Sequence, residues 1–471
     1  MSRIVIVSNR TPGKGPAAGG LAVALRKVLS RHEGFWFGWS GKLTETPDSK
    51  PRMEDVDGLK VAQIDLSPQD HHAYYAGFSN SILWPSFHLR LDLATIESYW
   101  YEGYRRVNAQ FAKALKPLLR PDDVIWVHDY HLIPLASELR ALGAKNRIGF
   151  YLHIPFPTAD ALYAIPHHGE LMRDLSRYDL IGFQANRDVA AFTDFAEHQA
   201  PSTFGISNTE AVDFSDTEVA AFPIGSDPEA FARLATSPAA KKMIHRMHRA
   251  LGEQELVLGV DRLDYSKGLP QRVEAYEKLL ANNQRFRRKV HLLQVAPPSR
   301  DTIKEYQETS DTLDAICGRV MGRFAEPDWA PLTYVKRTYG QPSLAGLYRL
   351  ARVALVTPLR DGMNLVAHEY VGAQDPENPG VLILSRFAGA AEIFPDALLV
   401  NPFDTDETAE ALRVALDMPL EERKTRWQAL NRAATAHNVD DWALAFLERL
   451  SPGIAEAGGG ATDVIYMASV A

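Results

Sequence analysis

The chain has 471 residues and a mass of 52.4 kDa, enough for two or three globular domains. Hydrophobic residues make up 46% and charged residues 23%, which excludes disordered and fibrous classes. Since 51 basic residues face 59 acidic ones, the net charge is -8, and no general positive field exists to bind nucleic acid. The single cysteine, Cys317, excludes an intramolecular disulfide framework and any site with two cysteine ligands.

The apolar segments are too short to anchor the chain in a membrane. At the N-terminus only residues 4–7 form an apolar run, shorter than the hydrophobic region of a signal peptide. The sequence contains no run of 18 apolar residues, so it predicts no membrane-spanning helix and no membrane partner. These features predict a cytoplasmic protein and leave homo-oligomerisation open.

Short apolar runs, each followed by a helical pattern, predict an α/β fold with parallel sheets. We therefore expect two doubly wound, Rossmann-like domains whose sheets face each other across a cleft, where a ligand would bind. The runs of the first domain cover residues 3–8, 123–127, 147–153 and 180–184. Those of the second cover residues 256–260, 290–295, 353–356, 381–384 and 398–400.

A segment punctuated by proline and glycine, residues 221–228, separates the two series and marks the domain boundary. It predicts an N-terminal domain over residues 1–223 and a C-terminal domain over residues 224–438. Residues 439–452 begin with acidic residues and continue with apolar residues at helical spacing, which predicts a terminal helix packed on the body. Residues 453–471 contain three consecutive glycines and are predicted to form a loose tail.

The loop after the first strand carries features that favour an anionic ligand. Gly19 and Gly20 precede a helix, where glycine lets backbone N–H groups approach a phosphate. The dinucleotide pattern GxGxxG is missing, and a plain flexible loop is an equally good interpretation of the glycines alone. Arg10 at the same strand end favours the anionic ligand.

In the second domain, residues 261–268 (DRLDYSKG) follow a strand and precede a helix. At this turn Arg262 and Lys267 can both face inward and hold a diphosphate. The alternative is a structural salt bridge from Arg262 to Asp261 or Asp264.

A second strand end in this domain, residues 357–365 (TPLRDGMNL), runs into a helix. There Asp361 can accept hydrogen bonds from sugar hydroxyls while the following backbone amides point at the same ligand. Glu369, within the helix, can accept from ribose hydroxyls. The alternative for either carboxylate is a structural role, in which its negative charge stabilises the N-terminal end of the helix through the helix dipole.

Aromatic and histidine side chains cluster in the first domain. The run 128–131 (HDYH) contains metal-ligand residue types, but adjacent side chains after a strand diverge, and the spacing of a metal-binding helix such as HExxH is missing. Aromatic faces with carboxylate and imidazole groups suit a sugar site, while core packing is the alternative for most of the tryptophans. For His153, at the end of a buried strand, a satisfied core histidine is an equal alternative.

Taken together and in order, eight motifs carry a resemblance to a known family. They are residues 8–10 (SNR), 19–20 (GG), 36–39 (WFGW), 83–85 (LWP), 126–131 (WVHDYH), 153–157 (HIPFP), 261–268 (DRLDYSKG) and 359–365 (LRDGMNL). With them the chain resembles, over about residues 1–450, the bacterial trehalose-6-phosphate synthases, which are retaining glycosyltransferases of the GT-B fold. The resemblance implies transfer of glucose from UDP-glucose to glucose 6-phosphate, without a metal ion or other cofactor.

The resemblance also implies residue roles. The catalytic group would be His153, Arg262, Lys267 and Asp361. The acceptor sugar phosphate would be bound by Arg10, Tyr75, Trp84, Asp129 and Arg300, and the nucleotide sugar by Gly19, Gly20, Arg262, Lys267, Asp361, Gly362, Met363, Asn364, Leu365 and Glu369. Two alternatives stay open: a related transferase with another phosphorylated acceptor, such as a glucosylglycerol-phosphate synthase or a pseudo-glycosyltransferase, and a non-catalytic sugar-phosphate sensor.

Overall fold

A computed structural model describes residues 2–13, 20–48, 50–198, 211–300 and 303–453. Its first sheet has eight strands in the order β3-β4-β2-β1-β5-β6-β7-β8, all parallel except the β3–β4 pair. These strands are β1 (Ile4–Arg10), β2 (Gly34–Leu43), β3 (Arg52–Val56), β4 (Leu59–Leu66), β5 (Val124–His128), β6 (Ile148–Tyr151), β7 (Leu180–Phe183) and β8 (Glu218–Ala221).

The second sheet has six parallel strands in the order β11-β10-β9-β12-β13-β14. Its central strands are almost fully buried, as expected for a sheet covered by helices on both faces. The predicted α/β class with two parallel-sheet domains is confirmed. These strands are β9 (Glu255–Val260), β10 (Val290–Val295), β11 (Leu332–Val335), β12 (Val353–Val356), β13 (Val381–Ser385) and β14 (Leu398–Val400).

Helices connect the strands and cover the sheets. A π-helix, His72–Leu83, lies between α2 (Pro68–His71) and α3 (Trp84–Phe87). The described ranges also contain five short 3-10 turns: Leu91–Leu93, Lys116–Leu118, Tyr130–Leu132, Tyr265–Lys267 and Gln284–Phe286. The α-helices are α1 (Gly20–Arg31), α2 (Pro68–His71), α3 (Trp84–Phe87), α4 (Ser98–Leu115), α5 (Leu135–Ala141), α6 (Ala159–Tyr163), α7 (His168–Leu175), α8 (Asn186–Glu197), α9 (Pro228–Ala235), α10 (Pro238–Leu251), α11 (Leu269–Asn282), α12 (Lys304–Phe324), α13 (Gln341–Leu350), α14 (Leu365–Ala373), α15 (Ala390–Ile393), α16 (Thr405–Asp417), α17 (Leu420–Ala436) and α18 (Val439–Leu450).

Five strands were not predicted: β2, β3, β4, β8 and β11. β3 is mostly exposed and pairs with β4 in a hairpin whose turn, Asp57 and Gly58, has positive φ at both residues. β8 and β11 are edge strands with half-buried side chains. The aromatic run 36–39, for which sugar binding and core packing are both expected from the sequence, forms part of the inner strand β2.

The last described helix returns to the first domain. In α18, Trp442 and Phe446 pack against Trp126 of β5, with ring centres 5.0 and 4.8 Å away. A Cβ on Gly149 of β6 or Gly182 of β7 would lie 2.8 Å from the Phe446 ring, so the absence of a side chain there lets α18 lie close on the sheet. None of the described helices is both long and apolar enough to cross a membrane.

Candidate active site

The carboxyl ends of the two parallel sheets meet in a cleft, and one loop of the second domain touches the first domain directly. A Cβ placed on Gly362 would lie 2.0 Å from the backbone carbonyl oxygen of His153, so only glycine allows this approach. Next to it, Arg360 Nη2 donates to the carbonyl of Phe156 at 2.8 Å. The loop predicted to bind the donor sugar therefore rests on the strand end that carries His153.

Charged groups on the second-domain side are paired with one another. Lys267 Nζ, after β9, forms a salt bridge with Asp361, after β12. Asn364 Nδ2 donates to Asp361 Oδ2 at 3.0 Å and to Asp261 Oδ1 at 3.3 Å, while Asp261 also accepts from Arg272 at 2.7 Å. The structure thus brings Lys267, Asp361 and Asn364, three of the residues predicted to bind the donor, into one hydrogen-bonded cluster.

Within the donor loop the backbone conformation is unusual. Asn364, the N-cap of α14, has a left-handed backbone with φ 75, a strained conformation for a residue other than glycine. Met363 is buried, and Leu365 begins α14. α14 thus begins at the strand end that carries Asp361, and the first backbone N–H groups of a helix lack partners further back in the helix.

Arg262 differs from the paired charged groups of the second-domain side. Its side chain is exposed, and the described part of the chain gives it no salt bridge; its guanidinium lies 5.9 Å from the centre of the Trp84 ring. Asp261 pairs with Arg272 instead, and the fully buried Asp264 faces Arg300 at 3.8 Å. The alternative prediction of a structural salt bridge from Arg262 to Asp261 or Asp264 is therefore not met.

Arg300, from the loop after β10, reaches across the cleft. Its guanidinium stacks 3.9 Å from the centre of the Trp84 ring, and Nη2 donates to the Tyr130 hydroxyl at 3.0 Å. Nη1 donates to the Tyr306 hydroxyl. Its backbone φ is 50, another left-handed residue at this cleft. Arg300 thus contacts side chains of both domains: Trp84 and Tyr130 of the first and Tyr306 of the second.

The pKa of Asp264 reports the charge of this region. Burial alone would raise the pKa of this carboxyl, yet Arg300, Arg262 and Lys267 outweigh burial and lower it. One buried carboxylate therefore stands among three cations. Because Lys267 is already paired with Asp361, the exposed Arg262 is the one of these three cations that is left to meet an anionic ligand.

On the first-domain side, Asp129 follows β5 with a φ of 77. Its Oδ1 accepts a hydrogen bond from the backbone N–H of His153 at 3.3 Å. Burial raises the pKa of Asp129 to about 6, against the opposing effect of its backbone hydrogen bonds and of Arg300 and Arg262. Such a carboxylate can accept hydrogen bonds from sugar hydroxyls at the floor of the cleft.

An aromatic platform lies beside Asp129. The Tyr75 ring stacks between His71, with ring centres 5.1 Å apart, and His131, at 5.7 Å. Arg10, at the end of β1, is exposed and lies 5.6 Å from the Trp39 ring. Of the predicted glycine pair, Gly19 lies outside the described residues, and Gly20 is the first residue of α1.

Glu369 and the histidines of the HDYH run lie on separate elements. Glu369 of α14 accepts a hydrogen bond from the Tyr348 hydroxyl at 3.0 Å, and burial raises its pKa to about 7. In the HDYH run, His128 contacts His153 whereas His131 stacks on Tyr75. The two histidines therefore contact different side chains. Among the described residues no group of three histidine, cysteine or acidic side chains is arranged to hold a metal ion.

Tyr306 and Tyr130 are site residues that sequence reasoning did not assign. Tyr130 lies inside a motif that was identified, but its hydroxyl contact with Arg300 depends on how the domains meet. Tyr306, in the first turns of α12, shows no signal of its own beyond its position six residues after Arg300. Both hydroxyls fix the guanidinium that the resemblance assigns to the acceptor phosphate.

The model of glycosyltransferase family 20 matches residues 9–452 of the chain. The chain belongs to glycosyltransferase family 20. Among curated family 20 relatives, the trehalose-6-phosphate synthase of Sinorhizobium fredii is 46% identical over 458 residues, 96% of this chain and 98% of the relative. The predicted resemblance is therefore confirmed over nearly the whole chain.

Solved structures of similar proteins bind sugar ligands. The α,α-trehalose-phosphate synthase (UDP-forming) from Burkholderia xenovorans, solved in complex with glucose-6-phosphate, is 48% identical, with a TM-score of 0.89 and coverage of 96% of this chain and 100% of the other. An E. coli structure bound with UDP-2-fluoro glucose is 42% identical, again with a TM-score of 0.89, and the match covers 95% and 99% of the two chains. Sequence and fold therefore agree on the same group of family 20 proteins, and the GT-B assignment is confirmed.

Proposed function

We propose that this chain transfers glucose, with retention of configuration, from UDP-glucose to glucose 6-phosphate. The products are α,α-trehalose 6-phosphate and UDP. The observation that carries the assignment is the cleft itself. It combines Arg262, for which the described residues provide no salt bridge, a donor loop that contains Asp361, and an Arg300 held by two tyrosine hydroxyls. Family membership over residues 9–452 supports the same reaction.

The proposed binding modes follow from these positions. Arg262 and Lys267 hold the donor diphosphate, Asp361 and the amides of the Gly362 loop hold the glucose, and Glu369 accepts from the ribose. On the acceptor side, Arg10 and Arg300 bind the phosphate. Tyr75, Trp84 and Asp129 contact the sugar ring, since aromatic faces and a carboxylate are the groups that sugars prefer.

In the transfer step the bond between glucose C1 and the diphosphate oxygen breaks, and a bond forms from C1 to the acceptor hydroxyl oxygen on the same face. The leaving phosphate oxygen takes the proton of that hydroxyl. Charge grows on the departing diphosphate, so Arg262 and Lys267 act where it develops. Close, oriented substrates supply the entropic part of the acceleration.

A matrix of donors and acceptors tests this proposal. UDP-, GDP- and ADP-glucose are each combined with glucose 6-phosphate, glycerol 3-phosphate and an aminocyclitol phosphate, and the nucleotide and the glycosylated product are quantified. We expect UDP and trehalose 6-phosphate from UDP-glucose and glucose 6-phosphate. Faster turnover of another acceptor would assign the chain to a different transferase, and no turnover with any pair would favour a sugar-phosphate sensor.

A further inference from the structure

All the polar atoms of His153 have neighbours within the protein. Ring Nε2 lies 3.1 Å from Nδ1 of His128, and ring Nδ1 lies 3.3 Å from Nε2 of Gln184. Its backbone N–H donates to Asp129, and its carbonyl packs against Gly362 of the donor loop. This residue therefore connects the acceptor side of the cleft with the donor side, through its backbone.

The orientation of the Gln184 amide is fixed by a backbone group. The N–H of Ile224 donates to Gln184 Oε1 at 3.0 Å, and the Tyr151 hydroxyl lies 2.8 Å from the same oxygen. Because a backbone N–H can only donate, the oxygen of the amide must face Ile224. The amide nitrogen of the buried Gln184 must then face His153.

The orientation of the Gln184 amide determines which ring nitrogen carries the proton in His153 and in His128. Gln184 donates, so Nδ1 of His153 must accept, and the ring proton is on Nε2. Nε2–H then donates to Nδ1 of His128, whose own proton is on Nε2. The opposite tautomer of His153 would place the Nδ1–H against the Gln184 N–H, two donors facing each other in a buried site.

We propose that Gln184 is a positioning residue for the transfer reaction: it fixes His153 as the Nε2–H tautomer and thereby holds the His153 backbone between Asp129 and Gly362. The effect of Gln184 on the rate of transfer rests on the proposed function, whereas the tautomer of His153 is independent of it. Both ring nitrogens of His153 have hydrogen-bond neighbours within the protein. Burial lowers the pKa of His153 to about 3, in keeping with a neutral ring.

The isosteric variant Gln184→Glu tests the proposal. It keeps an oxygen for Ile224 and replaces the amide donor by an acceptor, so we expect the proton of His153 to move to Nδ1. The measurement is 15N NMR of the full chain labelled at its 15 histidines, with the His153 signals assigned by their loss in His153→Gln. We expect kcat to fall about tenfold while KM for both substrates stays within about twofold, since binding groups are retained and alignment is lost.

The variant Gln63→Glu is a matched control, because Gln63 is also a buried glutamine whose amide donates, to Thr11 at 2.6 Å. It should leave the His153 signals unchanged. A wild-type spectrum with the proton on Nδ1 would overturn the proposal, and that measurement requires no folded variant. A Gln184→Glu protein with unchanged His153 signals and unchanged kcat would overturn it as well. If the predicted tautomer is found in a chain that transfers no sugar, the proposed function fails while the role of Gln184 in fixing the ring stands.

Discussion

The two sides of the cleft manage charge in different ways. On the second-domain side, cations and carboxylates are already paired, as in Lys267 with Asp361 and Arg272 with Asp261. On the first-domain side, ring stacking replaces pairing: Tyr75 lies between two histidines, and no described carboxylate forms a salt bridge with Arg10. The second-domain side therefore consists largely of ion pairs, and the first-domain side consists largely of stacked, uncharged rings.

This difference has a consequence for binding. A paired lysine must exchange its carboxylate for the ligand, so an anion gains only the difference between two favourable interactions. The stacked rings of the first-domain side contain no ion pair that a sugar would have to displace. Two groups on the paired side break the pattern: Arg262 lacks a carboxylate and Glu369 lacks a cation within the described ranges. They are the most informative positions to change.

The largest effect is expected at Arg262, the cation that is free to meet the diphosphate. We predict that Arg262→Ala lowers kcat/KM by about 100-fold or more, roughly 2.7 kcal/mol, as for the loss of one charge-stabilising donor. Initial rates of UDP release measure it. Arg413→Ala, on the exposed surface of α16, is the control and should behave as wild type. A folded Arg262→Ala protein with wild-type kinetics would remove diphosphate stabilisation by this residue from the mechanism.

The next effect tests the point where the two sides touch. In Gly362→Ala the new Cβ would lie 2.0 Å from the His153 carbonyl, so the donor loop must move away from the first domain. We expect kcat to fall by about tenfold to 100-fold, because a shift of about 1 Å misaligns the substrates. Gly318→Ala in α12 is the matched control, since a Cβ there meets no atom within 4 Å. If both variants keep full activity, the contact between loop and strand is not required for transfer.

Much of the fold was predictable because buried parallel strands leave apolar runs in the sequence. The strand ends of β1, β5, β6, β9 and β12 then located most of the candidate site. The exposed hairpin strand β3 and the edge strands β8 and β11 left no such run, because half of each is in contact with solvent. Periodicity reports burial, so strands that are not buried escape it.

Side-chain partners were not predictable in the same way. The stacking of Arg300 on Trp84, and its bonds to Tyr130 and Tyr306, join segments that only tertiary packing brings together. The Lys267–Asp361 pair was equally hidden, although each residue was identified as a ligand group. A sequence shows which groups stand at strand ends, but the domain arrangement decides which of them meet.

A smaller effect is expected at Arg10, the cation on the uncharged side. Arg10→Ala should raise KM for glucose 6-phosphate about tenfold and leave KM for UDP-glucose nearly unchanged, because one charge-assisted hydrogen bond to the acceptor phosphate is lost. Separate titrations of the two substrates measure the split. The control is Arg31→Ala in α1, whose side chain forms a surface pair with Asp440. Equal increases for both substrates would place Arg10 away from the acceptor phosphate and weaken the division between the two sides.

The last prediction concerns Glu369, the carboxylate for which the described residues provide no cation, and it is a test of stability rather than of activity. Burial raises its folded pKa from 4.5 to about 7, so folding favours the protonated form. Its contribution to stability is complete below pH 4.5 and is lost as the pH rises to about 7. We expect Glu369→Gln to match wild type at pH 4.5 and to be the more stable protein at pH 8, in urea unfolding without ligands.

The exposed Glu410 gives a comparison of opposite sign. Its hydrogen bond with Arg413 lowers its pKa, so any contribution it makes to stability is present above pH 4.5 and lost as the pH falls through the lowered pKa. Glu410→Gln should therefore bring no gain in stability at pH 8.

If Glu369→Gln also brings no gain in stability, the Glu369 carboxylate is compensated in the free protein, and the second-domain side would be fully paired apart from Arg262. Suppose that Glu369→Gln is more stable than wild type at pH 8, but that this difference disappears at saturating UDP. UDP then supplies hydrogen-bond partners to the Glu369 carboxylate, because a ligand that binds only the folded state stabilises it.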